Sequence, residues 1–427
     1  MILPTHDAHC YNRLPESLQL NPALTTYELR FSYFGISKLT YFNNKNAVCL
    51  TAYANFTQSI NAKPVVLVAP LDWGLGHATR CIPIIRQFLA ADCEVIIAAE
   101  GQQRRLLSQE FPTLPLLDLA GYRLRYGKNK GQTLMKIILQ VPKILIRINR
   151  ERKWLAKIYT DKHLDIIIAD NRYGLHHPQV VSVFITHQLL IKSSFGRWVD
   201  GLLQKINYHF IRRFDYCWVP DAAGDDNLAG ELSNPGVMPG VSTRYIGVLS
   251  RIRGEPGAGS RESGVHLLVL LSGPEPQRSI FEEKIFAQLN ELPCRAVIVR
   301  GFAETPAPQG SSLIEVYEHL ASEQMEQAIR EADIIISRSG YSTVMDVLPL
   351  GKKCIFIPTP GQPEQEYLAA YLAARGWCCT ASQNDFLLAA LVEKARALQL
   401  PDLSHLNDPD QLQQSVKEVL SQSPALG

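Results

Sequence analysis

No apolar run in this sequence reaches the ~18 residues that a membrane-spanning helix requires. The opening residues, Met1-Ile2-Leu3-Pro4-Thr5-His6-Asp7, have neither the basic stretch nor the apolar stretch of a secretory signal, so a cytoplasmic protein is expected. An excess of one charge is also missing. Lys and Arg total 43 against 41 for Asp and Glu, which excludes the broad positive field that nucleic-acid binding uses and makes any anion site local. The nine cysteines are odd in number, scattered and without a C-x-x-C pair. That excludes a disulfide framework and a zinc cluster and suits a reducing compartment. The first glycine loop lacks G-x-G-x-x-G, and no suitable acidic residue ends the next strand, which disfavours a dinucleotide oxidoreductase. The single D-x-D, Asp408-Pro409-Asp410, falls in the tail beyond the strands and reads as a turn, so no metal site is expected.

What is present is a packed composition, 46% hydrophobic and 20% charged, over 427 residues, enough for two ordinary domains. Residues 1–62 show no sustained period and read as a poorly ordered extension; a short accessory β element or a start codon placed upstream would look the same. From Lys63 the pattern becomes regular. Short apolar runs at 64–70, 94–99, 114–119, 165–169, 181–185 and 216–219 alternate with helical stretches, the first of them at 77–91. Residues 251–264, rich in glycine and charge, read as a linker. The alternation restarts with strands at 265–271, 295–299, 312–316, 333–336 and 353–357, and helices between them. The fold class expected is therefore α/β, with two doubly wound Rossmann-like domains at 63–250 and 265–400 and a terminal helix or tail at 401–427.

Three loops carry candidate chemistry. The first, Asp72-Trp73-Gly74-Leu75-Gly76-His77-Ala78-Thr79-Arg80, joins a strand to a helix. Gly74 and Gly76 let a ligand approach the backbone, and His77 would stand at the carboxyl edge of the sheet, where open α/β folds bind ligands. An imidazole suits removal of a hydroxyl proton near neutral pH; a tight turn capped by the histidine is the plainer reading. The second, Ser337-Arg338-Ser339-Gly340-Tyr341-Ser342-Thr343-Val344-Met345-Asp346, follows a strand and opens a helix. Its amides and hydroxyls suit a pyrophosphate and Asp346 suits a ribose, while a Ser-capped helix with Arg338 in solvent has the same appearance. The third, Pro358-Thr359-Pro360-Gly361-Gln362-Pro363-Glu364-Gln365-Glu366, offers amides and carboxylates to sugar hydroxyls, or is a polar surface loop.

The order and spacing of these pieces resemble glycosyltransferase family 28, best over residues 265–376, and remotely its peptidoglycan-precursor N-acetylglucosaminyltransferase. The resemblance implies the GT-B fold, with two Rossmann-like domains facing a cleft. It places the donor at Ser337, Ser339, Gly340, Tyr341, Ser342, Thr343 and Asp346, where the family more often has Glu, and at Gln362 and Gln365 in the sugar-binding loop. Ser272-Gly273 stands for the family's Gly-Gly-Ser loop, and Arg251 for a phosphate-contacting arginine. On the acceptor side it implies Gly74, Gly76, His187 and Gln188, with His77 as base.

The implied activity is inverting, metal-independent transfer of a hexose or N-acetylhexosamine from a nucleotide sugar, UDP-linked, to an acceptor hydroxyl. No cofactor is implied beyond that co-substrate. A cell-envelope role with a lipid-linked or saccharide acceptor fits the apolar, basic stretch 134–147 and the segment 193–214, either of which suits the inner face of a membrane or a buried amphipathic helix. G-L-G-H-x-x-R also resembles the loop of enzymes that hydrolyse UDP-sugars, so a nucleotide-sugar hydrolase is the rival enzyme. A nucleotide-sugar 2-epimerase is disfavoured by the lack of its acidic set. The non-enzyme alternative is a sugar-nucleotide-binding module, which a His77 buried or turned from the cleft would favour.

Overall fold

The structure is a computed structural model that describes residues 26–29, 39–42, 63–122, 130–252, 266–301 and 312–423. The chain divides into two compact units, Met1–Lys63 and Pro64–Gly427. In the first, β1 (Thr26–Leu29) and β2 (Leu39–Phe42) pair antiparallel, so the extension holds a two-stranded element. The other residues of 1–62, and 253–264 of the expected linker, lie outside the described residues.

The larger unit contains two parallel sheets. The first runs through β3 (Val65–Pro70), α1 (Leu75–Ala90), β4 (Glu94–Ala99), α2 (Gly101–Glu110), β5 (Leu116–Asp118), α3 (Lys130–Lys162), β6 (Ile166–Asp170), β7 (Val181–Ile185), α4 (Arg197–Ile211), β8 (Tyr216–Val219) and β9 (Ser242–Tyr245). Its strand order is β5-β4-β3-β6-β7-β8-β9. The second comprises β10 (His266–Leu270), α5 (Gln277–Leu289), β11 (Arg295–Val299), β12 (Ile314–Tyr317), α6 (Ser322–Glu331), β13 (Ile334–Ser337), α7 (Tyr341–Val347), β14 (Lys353–Phe356), α8 (Pro363–Ala374), β15 (Cys379–Thr380), α9 (Leu388–Arg396) and α10 (Pro409–Ser421). Its order is β12-β11-β10-β13-β14-β15. Each sheet grows outward from its first strand, then reverses, between β3 and β6 and between β10 and β13. Those two reversals are where doubly wound sheets open a crevice for ligands.

Strands buried on both faces explain the continuous apolar runs, and their side chains divide with a period of two. Val66, Val68, Ile97, Ile168 and Val183 of the first sheet share one cluster with Leu268, Ile335, Cys354 and Phe356 of the second. Leu67, Ala69, Ile167 and Phe184 pack on the opposite face of the first sheet, and Val269, Ile298, Ile336 and Ile355 on that of the second. The core between the sheets is thus continuous. The segment 401–423 is packed as well: α10 joins that shared core, Arg244 grips Glu418 at 2.8 and 2.9 Å, and Val248 N–H donates to Leu406 O at 3.2 Å.

Ile336, fully buried in β13, should be a sensitive position. Ile336→Ala is expected to lower stability by about 2–5 kcal/mol through lost contacts and the cavity left behind. Leu387→Ala, at a side chain 73% exposed, should stay within about 0.5 kcal/mol. Urea-unfolding midpoints of the two variants check the contrast.

Candidate active site

The end of β3 and the end of β6 meet at the reversal in the first sheet. Gly74, at φ 71, turns the chain into α1, so that His77 lies in the first helical turn. Asp170 is the last residue of β6 and fully buried. His77 Nδ1 lies 2.9 Å from Asp170 Oδ2, and Arg80 Nε donates to the same oxygen at 2.9 Å while Arg80 Nη2 donates to Oδ1. A carboxylate only accepts, so the Nδ1 proton belongs on the Asp170 side and Nε2 keeps the lone pair. Arg80 Nη2 also stands 2.7 Å from His77 Nδ1. Two donors crowd one site there, and we read this contact as electrostatic.

Burial first, and then the Arg80 charge, hold the His77 ring below its ordinary 6.5, against the pull of Asp170. The imidazole is therefore neutral at neutral pH. Burial alone would raise the Asp170 carboxyl, but Arg80 and His77 outweigh it and bring it down to about 2.

The network continues into the second half of the unit. His187, just after β7, receives Arg80 Nη1 at Nδ1 (3.2 Å), and its Nε2 donates to Glu364 Oε1 at 2.7 Å. Its ring stacks on Tyr341 with centroids 4.2 Å apart, and Tyr341 Oη donates to Pro220 O at 2.8 Å. Burial opposes the Glu364 charge, yet His187 beside it leaves the carboxyl below its usual range. Gln188 has its backbone fixed by Thr186 Oγ1 (3.0 Å) and by Asn207 Nδ2 (2.9 Å). Ser342 Oγ donates to Gly76 O at 2.9 Å, and a Cβ on Gly76 would stand 2.6 Å from that hydroxyl. Glycine is needed at 76 for this approach.

The residues expected on the donor side are dispersed in the structure. Ser339 Oγ donates to Gln365 O, and Gln365 Oε1 accepts the Thr359 N–H, both at 2.8 Å, so the loops after β13 and β14 are laced together. Gln362 caps α8 through its backbone, and Ser337, at the end of β13, turns its hydroxyl to the Arg338 carbonyl at 3.0 Å. Gly340 and Thr343 lie half-buried at the start of α7, and Ser272 and Gly273 form an exposed loop after β10. Asp346 is engaged elsewhere: Oδ1 accepts Ser250 Oγ at 2.9 Å and Arg251 N–H at 3.3 Å, and Arg251 Nε lies 3.5 Å from Oδ2. The structure therefore brings Arg251 and Asp346 together, as a buried pair between the halves. Arg338 is buried rather than solvated, donating to Ile357 O at 3.0 Å and Gln277 O at 2.8 Å.

Two cavities flank this network along the chain. One of about 300 Å³ is lined by Lys192, Ser193, Ser194, Pro363, Glu366 and Tyr367. The other, of about 320 Å³, is lined by Asp72, Gly74, Glu100, Gly101, Gln102 and Gln103. Among the described residues no group of three His, Cys, Asp or Glu side chains is placed to hold a metal ion.

Residues 304–423 match the glycosyltransferase family 28 C-terminal domain. An uncharacterized glycosyltransferase of Methanosarcina acetivorans is 22% identical over 321 residues, 71% of this chain and 82% of its own. The chain is a glycosyltransferase of GT-B architecture, similar to family 28. The UDP-N-acetylglucosamine-N-acetylmuramyl-(pentapeptide) pyrophosphoryl-undecaprenol N-acetylglucosamine transferase of Sulfurihydrogenibium sp. is 30% identical over 120 residues, 27% of this chain and 34% of that protein. The crystal structure of the kitacinnamycin glycotransferase superposes with a TM-score of 0.59 at 14% identity, covering 85% of this chain and 100% of that one, which establishes the fold.

Sequence reasoning missed Asp170, and it read Glu364 only as a partner for sugar hydroxyls. The signal for Asp170 was available: it is the acidic residue that closes the apolar run Ile166-Ile167-Ile168-Ala169, at a strand end on the carboxyl edge. Two consequences for pH follow. His77, neutral in the fold, disfavours protonation, so stability should fall as pH drops below 6.5. Asp170, depressed, contributes stability that is complete above 3.8 and lost as pH falls from there through about 2. With His77 in its expected role as base, Asp170→Asn should lower kcat about 100-fold or more by releasing the imidazole. The acid limb of the kcat/KM profile should also move to lower pH, because Asp170 raises the His77 pKa. A pH–rate series of both proteins reads each effect.

Proposed function

We propose that this glycosyltransferase moves a hexose or N-acetylhexosamine from a UDP-linked donor to an acceptor hydroxyl, with inversion and without a metal ion. The observation that carries the reading is the His77–Asp170 pair, joined through Arg80 and His187 to Glu364 on the donor-side loop. His77 Nε2 accepts the acceptor's hydroxyl proton as that oxygen bonds to the anomeric carbon. The bond from that carbon to the donor diphosphate breaks on the opposite face, and the nucleoside diphosphate leaves with the electron pair. Backbone amides after Gly273 and Ser339, with Arg251, stabilise the charge that develops, a task that fixed dipoles perform without a cation. Residues 63–250 are the acceptor half and 265–400 the donor half.

A lipid-linked acceptor at the inner face of a membrane is part of the same proposal. No helix among the described residues is long and apolar enough to cross a membrane. On α4, however, Trp198 (81% exposed), Leu202 and Ile206 form an outward stripe continued by Phe195, beside the exposed Arg197, Lys205 and Arg213. On α3, Val141, Leu145 and Ile146 are exposed as well, and Ile148 of α3 and Phe210 of α4 belong to one small apolar cluster. Apolar side chains among bases suit an anionic bilayer surface.

Thermal-shift screening should show selective stabilisation by UDP-linked sugars. His77→Ala is expected to abolish transfer while retaining donor binding; turnover at the wild-type rate would remove His77 as base. UDP release without an acceptor, measured in parallel, would identify hydrolysis instead. Trp198→Glu should weaken cosedimentation with anionic phospholipid vesicles roughly tenfold or more, and an unchanged bound fraction would rule out that face.

A further inference from the structure

Thr359, in the loop after β14, is 2% exposed, and both of its backbone groups are used: the N–H donates to Gln365 Oε1 at 2.8 Å and the carbonyl accepts from Gln362 N at 3.1 Å. Its hydroxyl is buried with no hydrogen-bond partner among the described residues. A buried hydroxyl left idle destabilises the protein that contains it, and a ligand that accepts its proton removes that cost. The hydroxyl faces Gly273, where a Cβ would lie 3.4 Å from Oγ1. Gly273 has φ 107 and sits in the exposed loop after β10, one of the two strands at the reversal of the second sheet. The cover over Thr359 is therefore a glycine loop at the ligand-binding edge.

A second observation gives the chemical class. Arg338, 0% exposed, donates to the carbonyls of Ile357 and Pro358, on the segment leading to Thr359, and to Gln277 O and Gln383 Oε1. Its guanidinium lies over the Phe281 ring at 4.2 Å. No carboxylate pairs with it among the described residues, and its Nε has no hydrogen-bond partner. A buried cation without a counter-ion favours an anion nearby, and phosphate oxygens accept hydrogen bonds without donating.

We infer that the Thr359 hydroxyl donates to a phosphate oxygen of the donor's nucleoside diphosphate, entering beneath the Ser272-Gly273 loop, with the buried Arg338 charge favouring the anion. The inference rests on the nucleotide-sugar reading above. Its test compares wild type, Thr359→Val, which keeps the side-chain shape, and Thr359→Ser, which keeps the hydroxyl, by thermal shift and calorimetric titration with UDP, UMP and inorganic phosphate. Thr359→Val without ligand should melt at or above the wild-type temperature, since it gives up an unpartnered hydroxyl, and its Kd for UDP should rise roughly 3- to 10-fold or more. Thr359→Ser should bind UDP within about twofold of wild type. Equal UDP affinity in wild type and Thr359→Val overturns this role while leaving the donor reading in place. No UDP binding by wild type overturns both. A loss confined to inorganic phosphate would mark a free-anion site and also overturn the proposal.

Discussion

The guanidinium of Arg80 is the constraint on which the site depends. A buried cation must be compensated where it lies, and this one is 2% exposed. Asp170 takes two of its nitrogens, and a third reaches His187. One side chain in the first turns of α1 thereby sets Asp170 against His77 and orients the ring that meets Glu364. A buried ion pair of this kind contributes position more than stability, because removing water from both charges offsets much of their attraction. In the proposed reaction position is what matters, since a general base works only when its lone pair is aimed.

The same logic governs how the two halves of the larger unit meet. They share a continuous apolar core, and polar contacts cross it at specific points: Ser342 to Gly76, Tyr341 to Pro220, and Asp346 to Ser250 and Arg251. Several residues that the family resemblance assigns to the donor are thus occupied, in this arrangement, by partners from the other half. Asp346 is the clearest case. Burial raises its carboxyl pKa, and the neighbouring Arg251 and Ser250 favour its charge. Polar groups of the two halves are in this way linked before any substrate is considered.

Much of the fold was legible because strands buried on both faces must be short and continuously apolar, and such runs recur between helical stretches throughout residues 64–357. The misses are instructive. α2, Gly101–Glu110, buries only Gln103, Leu106 and Leu107, so its polar sequence showed little helical stripe. β9, Ser-Thr-Arg-Tyr, is an edge strand that among the described residues pairs only with β8 and has no need of an apolar run. Arg338 was hardest, because an arginine beside serines reads as solvated until carbonyls from distant loops are seen around it.

By itself the sequence determined the two doubly wound sheets, the glycine loop bearing His77 and the serine-rich turn beginning at Ser337. Those features follow from local spacing and from residue types whose backbone preferences are short-range. Only the tertiary structure decided that Asp170, 93 positions along the chain, orients His77 and that Glu364, 177 positions from His187, completes the bridge. Charge pairing acts through space at a few ångströms, and its strength depends on the burial of both partners. Neither quantity exists until the strands have been ordered and the halves packed.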